Sequence, residues 1–365
     1  MSRARAKRSA KPKVPSAPPP AVWPLVVRAA PGLGRVLAPE LRHAGLAGRK
    51  TRIDTAWQRN HDLLFLPKPP REPAPTELRV AEEVHHCLVF GRYKFSSAQL
   101  ETLAGLLARR GRHWHLAVSV DGKHFNRFDL TRWLGKQLQH RGLRIDDAAP
   151  ASVFVFAVEA AYYVCVRTRT AADVAERDAR AVERPGSLPP SVAAAMAFLG
   201  KPGRRDTICD PVCGSGTLLA EAAAYISDAG FVGADTDMSA VKAARRNLAH
   251  VGGARVESAD ARALPLGDGT VSLTLANLPF GKQFGPVDGT PGLYDEILRE
   301  QGRVAAREGW RGVVLAGEHE ALESAARTHG FTVTRSLDVR VRGEPAALCV
   351  LVRSAGRADG AEQRS

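Results

Sequence analysis

Residues 206–224 read DTICDPVCGSGTLLAEAAA, and the fold turns on them. A short apolar run, DTICD, ends in a glycine-rich turn, and a helical pattern starts at Thr217. Strand, glycine turn and helix in that order make a ligand-cradling loop. Gly214 and Gly216 lack the Cβ atoms that would keep a ligand off the backbone. The dinucleotide fingerprint GxGxxG asks for a third small residue where this chain has Leu219, and no GK[ST] follows to mark a phosphate loop. A carboxylate, Asp210, stands before the turn; it would repel a pyrophosphate and attract a cationic amino group. The loop therefore suits a ligand with a positively charged end, such as S-adenosylmethionine (SAM). Cys213, Ser215 and Thr217 are its further candidate contacts.

Downstream, strand and helix patterns alternate strictly. FVGAD (231–235) ends in Asp235, 21 positions after Gly214, where a ribose diol is gripped in this kind of fold. VESAD (256–260) ends in Asp260, placed to accept from an adenine amine, with Ala261 beside it. One aspartate at a strand end is as often a turn or helix-cap residue. Three after three successive strands, around one glycine loop, point to a cofactor site. The alternation predicts an α/β fold with a doubly wound, Rossmann-like parallel sheet. The last two strand patterns, FTVTRSLDVRV and AALCVLVRS, joined by RGEP, predict an antiparallel hairpin at its C-terminal edge.

Upstream the rhythm is α+β. PLVVRAAPGLGRVLAPELRHAG reads strand, glycine turn, helix, and a Pro-rich connection follows. The spacing in ELRVAEEVHHCLVF (77–90) predicts a helix. SAQLETLAGLLARRG predicts an amphipathic helix capped by Ser97, and DLTRWLGKQLQHRG another that ends at Gly142. ASVFVFAVEAAYYVCVRTR supplies two strands, and LPPSVAAAMAFLG a helix with a proline start and a glycine stop.

Charge separates the halves. The 365-residue chain carries a formal net charge of +14: +6 over residues 1–20, +10 over 21–170 and −2 over 171–365. A basic front joined to a neutral back suits a polyanion-binding module on a working domain. Lys123, Arg127 and Arg132 are candidate phosphate contacts. His85, His86, His113, His115 and His124 fit no metal-ligand spacing and are read as surface or RNA-contacting residues; no metal is expected. Five scattered cysteines without a CxxC pair argue against a disulfide scaffold or zinc ribbon. With no apolar run near the roughly 18–20 residues of a membrane span and no signal-like stretch, a cytoplasmic location away from membranes is expected.

The fourth strand of the back half ends in Asn277-Leu278-Pro279-Phe280-Gly281. DPVCGSGT followed by an N-x-P-F motif is similar to SAM-dependent amino-methyltransferases of the class I fold. Phe280-Gly281-Lys282 and the later LYDEIL resemble the THUMP-domain-containing class I RNA guanine-N2 methyltransferases. VSVDGKHFNRFDLTRWLGKQL resembles a THUMP core, APGLGRVLAPELRHAG the ferredoxin-like segment before it, and ERPGSLPPSVAAAMAFLG the linker and first catalytic helix. The resemblance implies a ferredoxin-like segment over 21–95, a THUMP-like RNA-binding domain over 96–170 and the methyltransferase domain over 171–354, between disordered tails at 1–20 and 355–365. It also implies N2-methylguanosine as product and tRNA as partner; some relatives need a small activating protein.

The residue types suit that chemistry. An exocyclic purine amine has a delocalised lone pair and attacks poorly. The Asn277 side-chain carbonyl and the Leu278 main-chain carbonyl could accept from its N–H groups, with Pro279 fixing the turn and Phe280 stacking on the base. Catalysis would come from positioning, after a helical target is flipped out. Cys209 and Cys213 are read as packing residues: a pyrimidine C5 methyltransferase would need its cysteine near the fourth strand. Ribosomal RNA, adenine N6 in RNA or DNA, a protein glutamine, and a catalytically silent RNA-binding protein stay open as alternatives.

Overall fold

The computed structural model describes residues 24–51, 53–57, 61–67, 69–74, 77–168, 186–279 and 290–354. The tails expected at 1–20 and 355–365, and Phe280, lie outside the described residues. Residues 24–26, 65–72 and 84–168 form one compact unit; 27–64, 73–83 and 186–354 form the other.

The chain opens with β1 (Leu25–Ala29), α1 (Gly34–His43), β2 (Asp54–Trp57) and β3 (Asp62–Leu66), the strands lying side by side in the order β2-β3-β1. The glycine turn between β1 and α1 is filled from within. Asp62 Oδ2 accepts from the backbone N–H of Gly32 and of Gly34, each at 2.9 Å. Burial pushes the Asp62 carboxyl upward, while the two N–H groups pull the other way.

The first unit is built on β4 (Glu83–Arg92), α2 (Ser97–Ala108), β5 (His113–Asp121), α3 (Arg127–Gln139), β6 (Arg144–Ile145), β7 (Ser152–Val158) and β8 (Ala161–Arg167). Its strands lie in the order β4-β8-β7-β5-β6; β5 runs parallel to β7, and β8 antiparallel to β7 and β4. Leu100, Leu103 and Leu107 of α2 and Leu130, Leu134 and Leu138 of α3 pack with Val153, Val155 and Val164 of the sheet.

Several local expectations are corrected here. Most of the helix expected over 77–90 is strand β4, with a bulge between Cys87 and Val89. No residue of this strand is fully exposed, so it lacks a clean polar–apolar alternation, and a short apolar run is ambiguous by periodicity alone. The cap of α2 is Ser96, one residue earlier than expected: its Oγ accepts from Gln99 N while Gln99 Oε1 accepts from Ser96 N, a reciprocal capping box. Helix α3 ends at Gln139, three residues short of Gly142. His85 is buried against Phe154 and Phe156, not at the surface.

The second unit adds α4 (Pro190–Gly200), β9 (Thr207–Asp210), α5 (Thr217–Tyr225), β10 (Gly230–Asp235), α6 (Met238–Asn247), β11 (Ala254–Ser258), β12 (Leu273–Asn277), α7 (Thr290–Val304), β13 (Arg311–Ala316), α8 (His319–Thr328), β14 (Phe331–Val341) and β15 (Glu344–Arg353). The strand order is β11-β10-β9-β12-β13-β15-β14, parallel through β13, with β15 antiparallel to both β13 and β14. Helices cover both faces: the leucines of β12 meet Gly200 of α4, while Thr274 hydrogen-bonds Gln301 of α7. This is the expected doubly wound sheet with its C-terminal hairpin. The left-handed residue ending α4 is Lys201 (φ +48°) and not a glycine; Gly200 instead packs closely on Leu273. Among the described residues no helix is long and apolar enough to cross a membrane.

Residues 27–64 and 73–83 group with the back half because of buried polar contacts. Glu40 on α1, 1% exposed, accepts from the backbone N–H of Arg79 and Val80 and from the Tyr225 hydroxyl at 2.7 Å. Arg79 also donates to Glu221 at 2.8 Å. Removing a buried acceptor strands its donors at about 1–3 kcal/mol. Glu40→Ala is therefore expected to lower the thermal midpoint of the full chain more than Tyr225→Phe does; equal midpoints for Glu40→Ala and the parent would refute this assignment.

Candidate active site

In a doubly wound sheet the ligand crevice lies at the carboxyl ends of the strands, where strand order reverses. Here β9 is flanked by β10 and β12, and the chain reverses direction of build between β9 and β12. A cleft of about 560 Å³ opens at that point. Asp210, Asp235 and Asn277 end β9, β10 and β12, and Asp260 lies two residues beyond β11. All four line the cleft together with Cys213, Gly214, Ser215, Thr217, Ala261, Leu278 and Pro279. Gly216 instead caps α5: at φ +82°, a Cβ there would stand 3.1 Å from Leu248 Cδ1.

Asp210 is 1% exposed, and its Oδ1 accepts from Val212 N at 3.1 Å. Burial pushes its carboxyl up to about 8, and the neighbouring Asp235 charge adds to the rise against the Val212 N–H. Asp235 Oδ2 accepts from Gly214 N and Oδ1 from Asp237 N, both at 2.9 Å, which pins the glycine loop to β10. Gly214 itself has φ +52°, and a Cβ added there would meet nothing within 4 Å. The loop is braced from below by Asn247, whose Nδ2 donates to Ser215 O at 2.8 Å, and by Ser187, whose Oγ lies 3.0 Å from that of Ser215. Neither support has a local sequence signal; both act across 28 or more residues. Cys209 and Cys213 are buried, and burial beside Asp210 drives both thiols far above the usual range, as packing residues require.

Asp260 is differently placed from a bare acceptor. Arg262 forks onto its carboxylate at 2.7–3.1 Å and reaches Glu296 on α7 at 3.1 Å. The hydrogen bond from Arg262 holds the Asp260 carboxyl below its usual range.

At the other wall, Leu278 N donates to Leu315 O at 2.9 Å, which ties the turn after β12 to β13. The Tyr294 hydroxyl donates to Pro279 O at 2.9 Å. Asn277 Oδ1 is buried and has no hydrogen-bond partner among the described residues. A stranded buried acceptor costs about 1–3 kcal/mol, so this carbonyl is poised for a donor from a ligand.

The donor set fits SAM: Asp210 could take the ammonium group, Gly214 and its neighbours would allow close backbone approach, Asp235 could take the ribose, and the stretch around Asp260 and Ala261 would border the adenine. Lys123, Arg127 and Arg132 belong to the first unit. All three are exposed, Lys123 in the turn after β5 and both arginines on α3.

The Asp210 carboxyl gives a signed expectation. Because its pKa is raised in the folded chain, the native state binds the extra proton between about pH 4 and 8. Stability without ligand should therefore fall as pH rises through that window. Asp210→Asn should flatten the pH dependence of the unfolding midpoint and abolish SAM binding; an unchanged pH profile would contradict the buried, raised carboxyl.

Residues 177–345 match the model of the UPF0020 family, described as RMKL-like, methyltransferase domain. The human tRNA (guanine(6)-N(2))-methyltransferase THUMP3 is 30% identical over 186 residues, covering 47% of this chain and 37% of that protein. A tRNA (guanine(10)-N2)-dimethyltransferase from Methanothermobacter thermautotrophicus is 38% identical over 99 residues, 27% of this chain and 29% of that one. The match thus spans little more than a third of the human relative. Across most of the chain, the crystal structure of TrmN from Thermus thermophilus superposes with a TM-score of 0.74 at 23% identity, covering 91% of this chain and all of that one. That likeness establishes the fold. Over that stretch, somewhat less than half of its length, the chain is accordingly similar to the UPF0020, RMKL-like methyltransferase domain.

Proposed function

We propose that the chain transfers the methyl group of SAM to the N2 amine of a guanine in tRNA, giving N2-methylguanosine. The observation that carries this is the buried Oδ1 of Asn277, without a hydrogen-bond partner among the described residues, on a residue that lines the same cleft as Asp210. SAM supplies an electrophilic methyl on its sulfonium. The chain's part is positional. Asn277 Oδ1 and the Leu278 carbonyl accept the two N–H groups of the amine and so turn its lone pair along the transfer line. Tyr294, through Pro279 O, and Leu315, through Leu278 N, would hold in place the turn that carries both acceptors. In this account Phe280, next in sequence, gives the base a stacking face. Both relatives cited above are named as tRNA guanine-N2 methyltransferases, which supports the choice of base and of RNA.

Capture of the RNA is assigned to the first unit. Lys123, Arg127 and Arg132 are exposed there beside Phe128, which is 76% exposed, and Trp133. Exposed aromatics among cations suit nucleic acid, through base stacking and phosphate pairing. The enzyme would work in the cytoplasm.

The test is methyl transfer from labelled SAM to separate tRNA and rRNA pools, with products digested to nucleosides. N2-methylguanosine in the tRNA pool, lost in Asn277→Ala by at least about 10²-fold while SAM binding persists, is expected. N6-methyladenosine instead would overturn the choice of base. Transfer that occurs only with added cell extract would point to a small activating protein. Reversing the charge at Lys123, Arg127 and Arg132 together should raise the KM for RNA and shallow its salt dependence by up to about three in the log–log slope. An unchanged KM would remove these residues from the RNA surface.

A further inference from the structure

The cleft has a second wall made by the tip of the β14–β15 hairpin. Val341, Arg342 and Glu344 line it, facing the acids that end the parallel strands. Val341 pairs with Glu344, so Arg342 and Gly343 form a two-residue turn, with φ of +52° and +89°. Two successive left-handed residues make the turn that matches the twist of a tight hairpin, and Asn-Gly is its favoured pair. An arginine at the first position is disfavoured by its backbone and asks for a reason in the side chain. The turn is braced: Arg340 donates to Gly343 O at 2.9 Å.

Charge supplies the reason. The cleft lining includes four carboxylates, Asp210, Asp235, Asp260 and Glu344, and two cations, Arg262 and Arg342. A nucleotide entering beside Asn277 brings phosphates toward this acidic pocket and needs a cation at the entrance. Arg342 lines the same cleft and is exposed, on a turn braced by Arg340. A guanidinium offers a phosphate two parallel N–H donors, fixing orientation as well as charge.

We propose that Arg342 is a positioning residue for methyl transfer, holding a backbone phosphate that flanks the target nucleotide so that its base reaches Asn277. This rests on the assignment of RNA as substrate. It adds a second contact to RNA, on the catalytic unit itself, and predicts that selection of the nucleotide depends on it.

The experiment uses the full chain with Arg342→Asn and Arg342→Lys. Asparagine suits the left-handed turn, so the first variant should fold with an unchanged or raised thermal midpoint. Expected for Arg342→Asn are a KM for RNA about tenfold higher, kcat much less affected, and a log–log salt slope shallower by about one. SAM affinity, measured by calorimetry, should stay within about twofold of the parent in this variant, and lysine should recover part of the KM. A parent-like KM in Arg342→Asn, with the parent chain active on RNA, overturns the role of Arg342 and leaves the RNA assignment standing. A parallel loss of SAM binding also overturns it, moving the arginine to the cofactor. No transfer by the parent chain to any RNA pool removes the substrate assignment on which the proposal stands.

Discussion

The pairing of β9 with β12 is the contact on which the site depends. These strands run parallel in the register Leu273↔Ile208 and Thr274↔Cys209, although the chain visits β10 and β11 between them. That single non-sequential neighbour relation places the ends of β9 and β12 side by side, with the end of β10 on the far side of β9. Asp210 and Asn277 then emerge at one edge, the first suited to a cation and the second to an amine. Any shift of register would separate the cofactor end from the acceptor end, and positioning is most of what amine methylation requires.

Across the second unit carboxylates repeatedly accept from backbone N–H groups. Asp235 holds Gly214 and Asp237; Asp62 fills the glycine turn at the start of α1; Glu40 collects Arg79, Val80 and Tyr225. Each contact satisfies donors that would otherwise be stranded. The two glycine turns make a useful contrast. The one at residues 31–34 is occupied by the chain's own Asp62, whereas the one at 213–216 opens onto the cleft. A glycine-rich sequence before a helix is thus compatible with either a ligand or an internal carboxylate, and only the tertiary partner decides.

That contrast also explains what could be read before the structure was known. The strand–turn–helix at 206–224, the spacing of Asp235 from Gly214 and the Asn-Leu-Pro turn are local features, carried by a few adjacent residues. The doubly wound sheet follows from the same local alternation. Long-range relations left no such mark. Glu40 meets Tyr225 across 185 residues, so nothing near either residue announces that 27–64 belongs with the catalytic unit. Strand β4 reads as a helix because none of its residues is fully exposed and no clean alternation marks it. Arg262 looks like an ordinary turn residue until its fork onto Asp260 is seen, and Arg342 until its hairpin is folded against the cleft.

The central claim is that Asp210 and Asn277 serve two ends of one reaction coordinate. The most direct measurement is a structure of the chain with a bisubstrate analogue in which the guanosine N2 is tethered to the adenosyl amino-acid part of SAM. The account predicts the amino group of the analogue within hydrogen-bond distance of Asp210 and its N2 on Asn277 Oδ1. An analogue bound with its base away from Asn277, leaving that carbonyl without a partner, would contradict it.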